Sequence, residues 1–144
     1  LGRPNDAPRY GNKVGGGCPG SAGTPTLTAI TLPWTGSVFS VAITNLPGFG
    51  HSSFGVMTTG LETEKPALDL TSFGLPGCIL YVKIVANSFF PVYDTVGLWH
   101  LTIPDLPSIV GLRFFNQALV QDTAADNIRG AILSKAVSGV IGDK

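Results

Sequence analysis

Charged residues are scarce in this 144-residue chain, at 12% of the total. That is about half the share of roughly 25% that is usual in soluble proteins. Nine Lys and Arg residues balance nine Asp and Glu residues, so the formal net charge is zero. This balance excludes the basic footprint of a nucleic-acid binder and the polybasic segments of peripheral membrane proteins. We therefore expect no nucleic acid among the partners.

Long apolar runs are also missing. The longest, Cys78 to Val82, is ended by Lys83, and it is far shorter than the roughly 20 residues that a membrane-spanning helix needs. We expect no membrane span. The chain starts at Leu1 rather than at Met, which fits a mature product whose signal peptide has been removed. Together with two cysteines, this start predicts a secreted or cell-surface protein in an oxidising compartment.

Residues suited to catalysis or metal binding form no recognisable pattern. His51 lies in a turn beside two serines, and the Gly-x-Ser-x-Gly elbow of many hydrolases is missing. His100 alternates with Trp99 on a predicted strand, so we expect it at a sheet surface. The cysteines lack zinc-ligand spacing, and the acidic turn at 122–127 lacks the series of a calcium loop. We predict no enzymatic activity, no catalytic residues, no metal and no cofactor.

The two cysteines each lie in a turn rich in Pro and Gly. Cys18 stands between three glycines and Pro19, and Cys78 ends the sequence Leu-Pro-Gly-Cys. A strand-like apolar run follows each turn. The simplest interpretation is one structural disulfide between Cys18 and Cys78, whose loop closure contributes about 4 kcal/mol in the chain-entropy description.

The residues before Cys18 have a different composition from the rest. Residues 1–17 are polar, rich in Gly and Pro, and without periodicity, which predicts an extended N-terminal arm ahead of a domain at 18–144. Such an arm is ordered only where a surface holds it, either on its own domain or on a neighbouring copy. The residues that we predict to hold the arm in an assembly are Arg3, Pro4, Asn5, Arg9 and Tyr10.

Short apolar segments separated by Gly and Pro turns follow from residue 26 onward, and they predict an all-β fold. Clean alternation over 39–44 places Phe39, Val41 and Ile43 on one face. By the same pattern we expect Phe54 and Val56 to point inward. Further strands are expected at 26–32, 52–58, 78–85, 98–103 and 112–120, with a charged loop at 62–66 and a hairpin over 128–141.

Seven to nine short strands at spacings of roughly a dozen residues are typical of a β-sandwich. We therefore predict a single sandwich with Greek-key or jelly-roll-like connections.

Four segments of turn and strand sequence stand out along the chain. They are Gly17 to Leu27, Leu70 to Cys78, Ile103-Pro104, and Leu112 to Phe115 with Gln117, Ala118 and Asp122. In this combination the chain resembles an uncharacterised module of secreted bacterial proteins, notably of planctomycetes, over about Tyr10 to Gly142. The resemblance implies an extracellular location and the disulfide, and it implies no activity and no catalytic residues.

The chain has no net charge and a mean hydropathy of +0.32, so little repulsion opposes self-association. We predict a non-catalytic extracellular structural subunit that binds other copies of itself. Its sheet faces and its N-terminal arm would provide the contacts, and contacts that do not close into a ring would build a filament or a surface layer.

A carbohydrate-binding or adhesive module is the alternative prediction. Sugar-binding sandwiches stack pyranose rings on exposed aromatic side chains, and the candidates here are Trp34, Tyr93 and Trp99, with Tyr81 and the pair Phe89-Phe90. Packing of these aromatics in the core is the competing explanation.

Overall fold

The computed structural model describes residues 7–18, 23–46, 52–121 and 131–143. In these ranges the fold is all-β, as predicted, and its only helices are two single 3-10 turns, at Thr71–Phe73 and Pro107–Ile109. The strands are β1 (Arg9–Gly15), β2 (Thr26–Ala29), β3 (Val38–Thr44), β4 (Ser52–Gly60), β5 (Glu62–Asp69), β6 (Ile79–Lys83), β7 (Ala86–Tyr93), β8 (Val96–Thr102), β9 (Arg113–Gln121), β10 (Ala131–Leu133) and β11 (Ala136–Val140).

Nine of these strands form one antiparallel sheet in the order β1-β11-β9-β4-β7-β8-β3-β2, with β10 also paired to β9. In a flat sheet β3 and β9 would lie about 19 Å apart, four strand spacings. The rings of Phe39 on β3 and Phe114 on β9 are instead 5.7 Å apart. The sheet therefore folds over on itself, so that its two halves form the layers of a sandwich.

The core lies between these two layers. Phe39, Val41 and Ile43 are fully buried there, which confirms the face predicted for β3. Trp99 packs edge-on against Phe39 at 5.8 Å. Where the two ends of the sheet meet, the layers are also joined through the backbone, because the Thr35 N–H, between β2 and β3, donates to the carbonyl of Gly142, just after β11, over 2.9 Å.

The predicted orientation of β4 is wrong. Phe54 is 62% exposed, whereas Gly55 and Met57 point inward and are buried. The inward place beside Gly55 is filled by the ring of Phe90 from the neighbouring strand β7. A large side chain on one strand thus uses the space that a glycine leaves on the next, and hydrophobicity along β4 alone does not reveal this.

Two other segments differ from their predictions. The stretch 62–66, expected as a charged loop, lies within β5, which pairs with β6. The expected hairpin at 128–141 is not formed, because β10 and β11 both pair with β9 in the same direction. They are separated by a break at Ser134, whose hydroxyl accepts the N–H of Ala118 over 2.8 Å. The Ser134 hydroxyl thus accepts the hydrogen bond that a backbone carbonyl would accept in a regular ladder.

The N-terminal segment is part of the sheet from Arg9 onward. Strand β1 pairs with β11 of the same chain, from Arg9 opposite Val140 to Gly15 opposite Ala136. Tyr10, which we expected in an intermolecular contact, packs in the core against Phe39 at 4.9 Å. The assignment of residues 9–15 to an arm that docks on a neighbour is therefore corrected. The other arm residues, Arg3, Pro4 and Asn5, lie outside the described residues.

The disulfide between Cys18 and Cys78 is present, with the two Cα atoms 4.7 Å apart and both side chains buried. It links the end of the N-terminal segment to the β5–β6 hairpin. Gln117 on β9 holds the same hairpin to the outer face of the sheet. Its side-chain oxygen accepts the N–H of Tyr81 and its amide donates to the carbonyl of Ile79, each over 2.9 Å.

Candidate interaction surfaces

Charge is distributed unevenly over the sheet. Five adjoining strands, β4, β7, β8, β3 and β2, contain no Asp, Glu, Lys or Arg. The charged side chains of the described strands lie on β1 and β9 and on the β5–β6 hairpin. By its strands the domain therefore has a charge-free half and a charged half, and each half carries a candidate surface. The turn between β7 and β8 adds one exposed carboxylate, Asp94, next to Tyr93.

The charge-free half exposes an apolar face, which we define as Phe54 and Val56 of β4 with Phe89, Pro91 and Tyr93 of β7. These side chains alternate with the buried positions of the two strands, so all point away from the core. Register places Phe54 opposite Pro91 and Val56 opposite Phe89. The rings of Phe54 and Phe89 meet edge-on at 5.5 Å.

The rings of this apolar face are poorly covered by the described residues. Phe89 is 73% exposed and Tyr93 is 56% exposed. Exposing aromatic area to water has a cost of about 25 cal/mol per Å² relative to burying it. Isolated exposed apolar side chains are normal, but contiguous ones without charge between them mark contact surfaces.

The open sheet edges are less suited to contact. Strand β1 contains two register shifts within seven residues, one of them at Gly11, which has a φ of +105°. Strand β5 contains Pro66 and loses regular pairing between Thr63 and Leu68. Bulges, prolines and charges at an edge discourage pairing with another chain. The remaining edge of the large sheet, β2, is regular but only four residues long, and a very short edge strand offers little for another chain to pair with. Contact through a sheet face is therefore favoured over addition of a strand.

The charged half carries two adjoining cavities, which share Arg113 at the start of β9. One, of about 430 Å³, lies over β1, β11 and β9 and is lined by Arg9, Tyr10, Asn12, Arg113, Ser138, Gly139 and Val140. The other, of about 450 Å³, lies beneath the β5–β6 hairpin and is lined by residues 61–65 with Lys83, Arg113 and Phe115. Charged and polar groups dominate both linings.

The aromatic residues predicted to stack on sugar are not brought together. Trp99 is 2% exposed, and its indole N–H donates to the hydroxyl of Ser88 over 2.7 Å. Burial removes Trp99 from any surface site, so that prediction is corrected. Trp34 is half-buried where the two ends of the sheet meet, and its backbone forms an isolated β-bridge with Gly142. Of the three, only Tyr93 belongs to the apolar face.

His100 lies on the exposed side of β8, as predicted, and its Nδ1 hydrogen-bonds with the hydroxyl of its cross-strand neighbour Ser40 over 2.7 Å. Within the described ranges no carboxylate joins this pair, so the observed arrangement is a cross-strand hydrogen bond. His51 and the turn at 122–127 lie outside those ranges.

No three His, Cys, Asp or Glu side chains in the described part of the chain are grouped as metal ligands would be. None of its helices is long and apolar enough to cross a membrane.

Sequence reasoning missed both candidate surfaces, although a signal for the first was present. No Asp, Glu, Lys or Arg occurs between Lys13 and Glu62, a run that covers β2, β3 and β4. The strand β7 between Ala86 and Tyr93 was not expected, and without it the neighbours of Phe54 were unknown. The cavities depend on the pairing of β1 with β11, which a sequence without periodicity does not predict.

Comparisons with family models, with curated proteins and with solved structures gave no match. The resemblance to the secreted bacterial module stays a prediction.

Proposed function

We propose that this protein is a non-catalytic extracellular structural subunit that self-associates through the apolar face of its charge-free half. The observation that carries the proposal is the edge-on ring pair of Phe54 and Phe89, exposed on strands that contain no charge. A second copy is the favoured occupant because it offers the same uncharged face, and isologous contacts of this kind are the commonest in oligomers.

Three features support contact through the face. The chain has no net charge to oppose association. The irregular edges β1 and β5 and the four-residue edge β2 disfavour assembly by strand addition. The register of β4 with β7 fixes the exposed rings on regular, hydrogen-bonded strands, so little conformational entropy is lost when they are covered.

The test is the oligomeric state of the purified domain and of matched variants. We expect sedimentation of the wild type to show concentration-dependent association. The double variant Phe54→Ser/Phe89→Ser should be monomeric, with an unchanged far-UV circular dichroism spectrum, because both side chains are outside the core. The control is Ile30→Ser, which removes a 56% exposed side chain elsewhere on the charge-free half. A monomeric wild type at high concentration, or equal association of the double variant, would contradict the proposal.

Carbohydrate binding is the second candidate, favoured by one observation. Phe89 and Tyr93 lie on the same side of β7, four residues and therefore about 13 Å apart, with exposed Asn87 in line with them. Such a strip could stack on two rings of a neutral glycan. A monomer that binds a neutral glycan in calorimetric titration, with loss of binding in Tyr93→Ala, would favour this candidate over self-association.

A further inference from the structure

We propose that the cavity over β1, β11 and β9 binds an extended polycarboxylate, specifically an acidic polysaccharide of uronate units, through Arg9 and Arg113. This site lies on the charged half, apart from the face proposed for self-association.

Strand register places the two arginines in one row. Arg9 is the partner of Val140, and Val140 is the partner of Arg113. The three residues therefore form one row across three strands. Tyr10 and Phe114, the next residues along β1 and β9, point into the core, so both arginines point to the outer face. Val140 between them is buried, which fits coverage by the aliphatic parts of the two arginines.

Positive side chains outnumber negative ones at this site. Within the described part of the chain, neither Arg9 nor Arg113 has a carboxylate at ion-pair distance, and the single ion pair found there joins Lys83 to Glu62 at 3.7 Å. The described residues that line the cavity include two guanidinium groups and no carboxylate. In a chain with no net charge, this is a local excess of positive charge that is available to an anion.

The spacing of the two arginines favours a ligand with several carboxylates. Residues two strands apart have Cα atoms about 10 Å apart, so each guanidinium can hold a separate carboxylate in the bidentate manner that its planar fork allows. Beyond Arg113 the adjoining cavity offers Lys65 and Lys83. A linear polyanion would thus meet successive cations along one path.

The floor of the cavity suits a polysaccharide better than an acidic peptide. The floor of the cavity is a sheet face whose β11 backbone is already paired on both sides, with β1 and with β9. It leaves no ladder of N–H and C=O groups for a peptide backbone. Its other polar lining groups are the Asn12 amide and the Ser138 hydroxyl, which suit the hydroxyl groups of a sugar.

Two carboxylates on the path set a limit to binding. Glu62 and Glu64 line the adjoining cavity. Glu62 is within ion-pair distance of Lys83, while the described residues provide no such partner for Glu64. Glu64 should repel the distal part of a bound polyanion, and its neutralisation should tighten binding.

The experiment is calorimetric titration of the whole domain with a short oligogalacturonate at low ionic strength. Arg9→Gln and Arg113→Gln should each weaken binding about tenfold or more, as loss of a charge-assisted bidentate contact does. Arg113→Lys should recover only part of the affinity, and Glu64→Gln should increase it. The matched control is Lys13→Gln, which removes one exposed cation from the same strand β1 but outside the cavity lining; its affinity should change less than twofold.

Four results would overturn the proposal. They are absence of oligogalacturonate binding, equal binding of a neutral galactan, equal weakening by Lys13→Gln, and tighter binding of poly-glutamate than of the uronate. Thermal unfolding of each variant shows whether it is folded, and amide chemical shifts at β11 on titration report contact at the cavity itself. Because Phe54→Ser/Phe89→Ser leaves this cavity intact, uronate binding by that variant separates this proposal from the proposed function.

Discussion

The phenol of Tyr10 donates a hydrogen bond to the side-chain oxygen of Asn116 over 3.1 Å, and this contact joins the first strand to the ninth through the interior of the sandwich. Asn116 in turn donates to the hydroxyl of Thr59 over 2.9 Å and to the carbonyl of Thr58. Asn116, at the centre of this polar chain, is fully buried, and each of its links is hydrogen-bonded. Strand β1 is therefore a part of the folded core.

Removal of residues 1–14 should consequently unfold the domain. The deletion takes away the Tyr10 ring and most of the ladder with β11. Loss of a buried aromatic side chain alone costs about 3–5 kcal/mol, a large part of a typical stability of about 5–15 kcal/mol. We expect collapsed amide dispersion in a proton NMR spectrum. Deletion of residues 1–6, which removes none of the described strands, is the control. A dispersed spectrum after the longer deletion would mean that β1 is dispensable.

Tyr10 should also make stability depend on alkaline pH. Burial raises the pKa of its phenol far above the ordinary value of 10.0. Above the ordinary pKa the unfolded chain releases the phenolic proton while the folded chain keeps it. The free energy of unfolding therefore has its full value below about pH 10 and falls as the pH rises further. The expected slope is about 1.4 kcal/mol per pH unit.

Urea unfolding of the wild type and of Tyr10→Phe at several pH values between neutral and alkaline measures this effect. At neutral pH the variant should be less stable by about 1 kcal/mol, because it lacks the bond to Asn116. This difference in free energy of unfolding between the wild type and Tyr10→Phe should shrink as the pH rises above about 10. Tyr93→Phe, which removes an exposed phenol, provides the reference. A gap for Tyr10→Phe that stays constant with pH would contradict a buried, protonated phenol.

The sequence pattern sufficed for the features that depend on local alternation or on turn chemistry. The inward face of β3 followed from its period of two, and the pairing of Cys18 with Cys78 followed from the number of cysteines and their turns. The all-β class followed from the spacing of the Gly and Pro turns.

The features that depend on a partner strand were not predictable in the same way. The alternation along β4 predicts Phe54 in the core. In the structure the inward position belongs to Gly55, and the Phe90 ring fills the space beside it. Residues 9–15 have no hydrophobic period, because two bulges interrupt the alternation that would identify an edge strand. The row of Arg9 and Arg113 requires residues more than a hundred positions apart to share a neighbour, and a single sequence does not encode that register visibly.

The contact between Gly55 and Phe90 leads to the last prediction. The Phe90 ring lies between β4 and β8, against Gly55 on one side and Gly97 on the other, so closely that a methyl group on either glycine would overlap it. Gly55→Ala should therefore destabilise the domain by about 1–3 kcal/mol, as overpacking of a core does. Gly16→Ala is the matched control, because a methyl group there meets no atom within 4 Å, and it should be neutral or slightly stabilising.

Phe90→Leu tests whether the ring itself causes the cost. It removes part of the ring that Gly55→Ala would strike, so the double variant should be more stable than the sum of the two single changes implies, by about 0.5–3 kcal/mol of coupling. Urea unfolding of the four proteins of this double-mutant cycle measures the coupling. Additive effects would show that the Phe90 ring does not set the cost of a side chain at Gly55, and the explanation given for the reversed orientation of β4 would then be wrong.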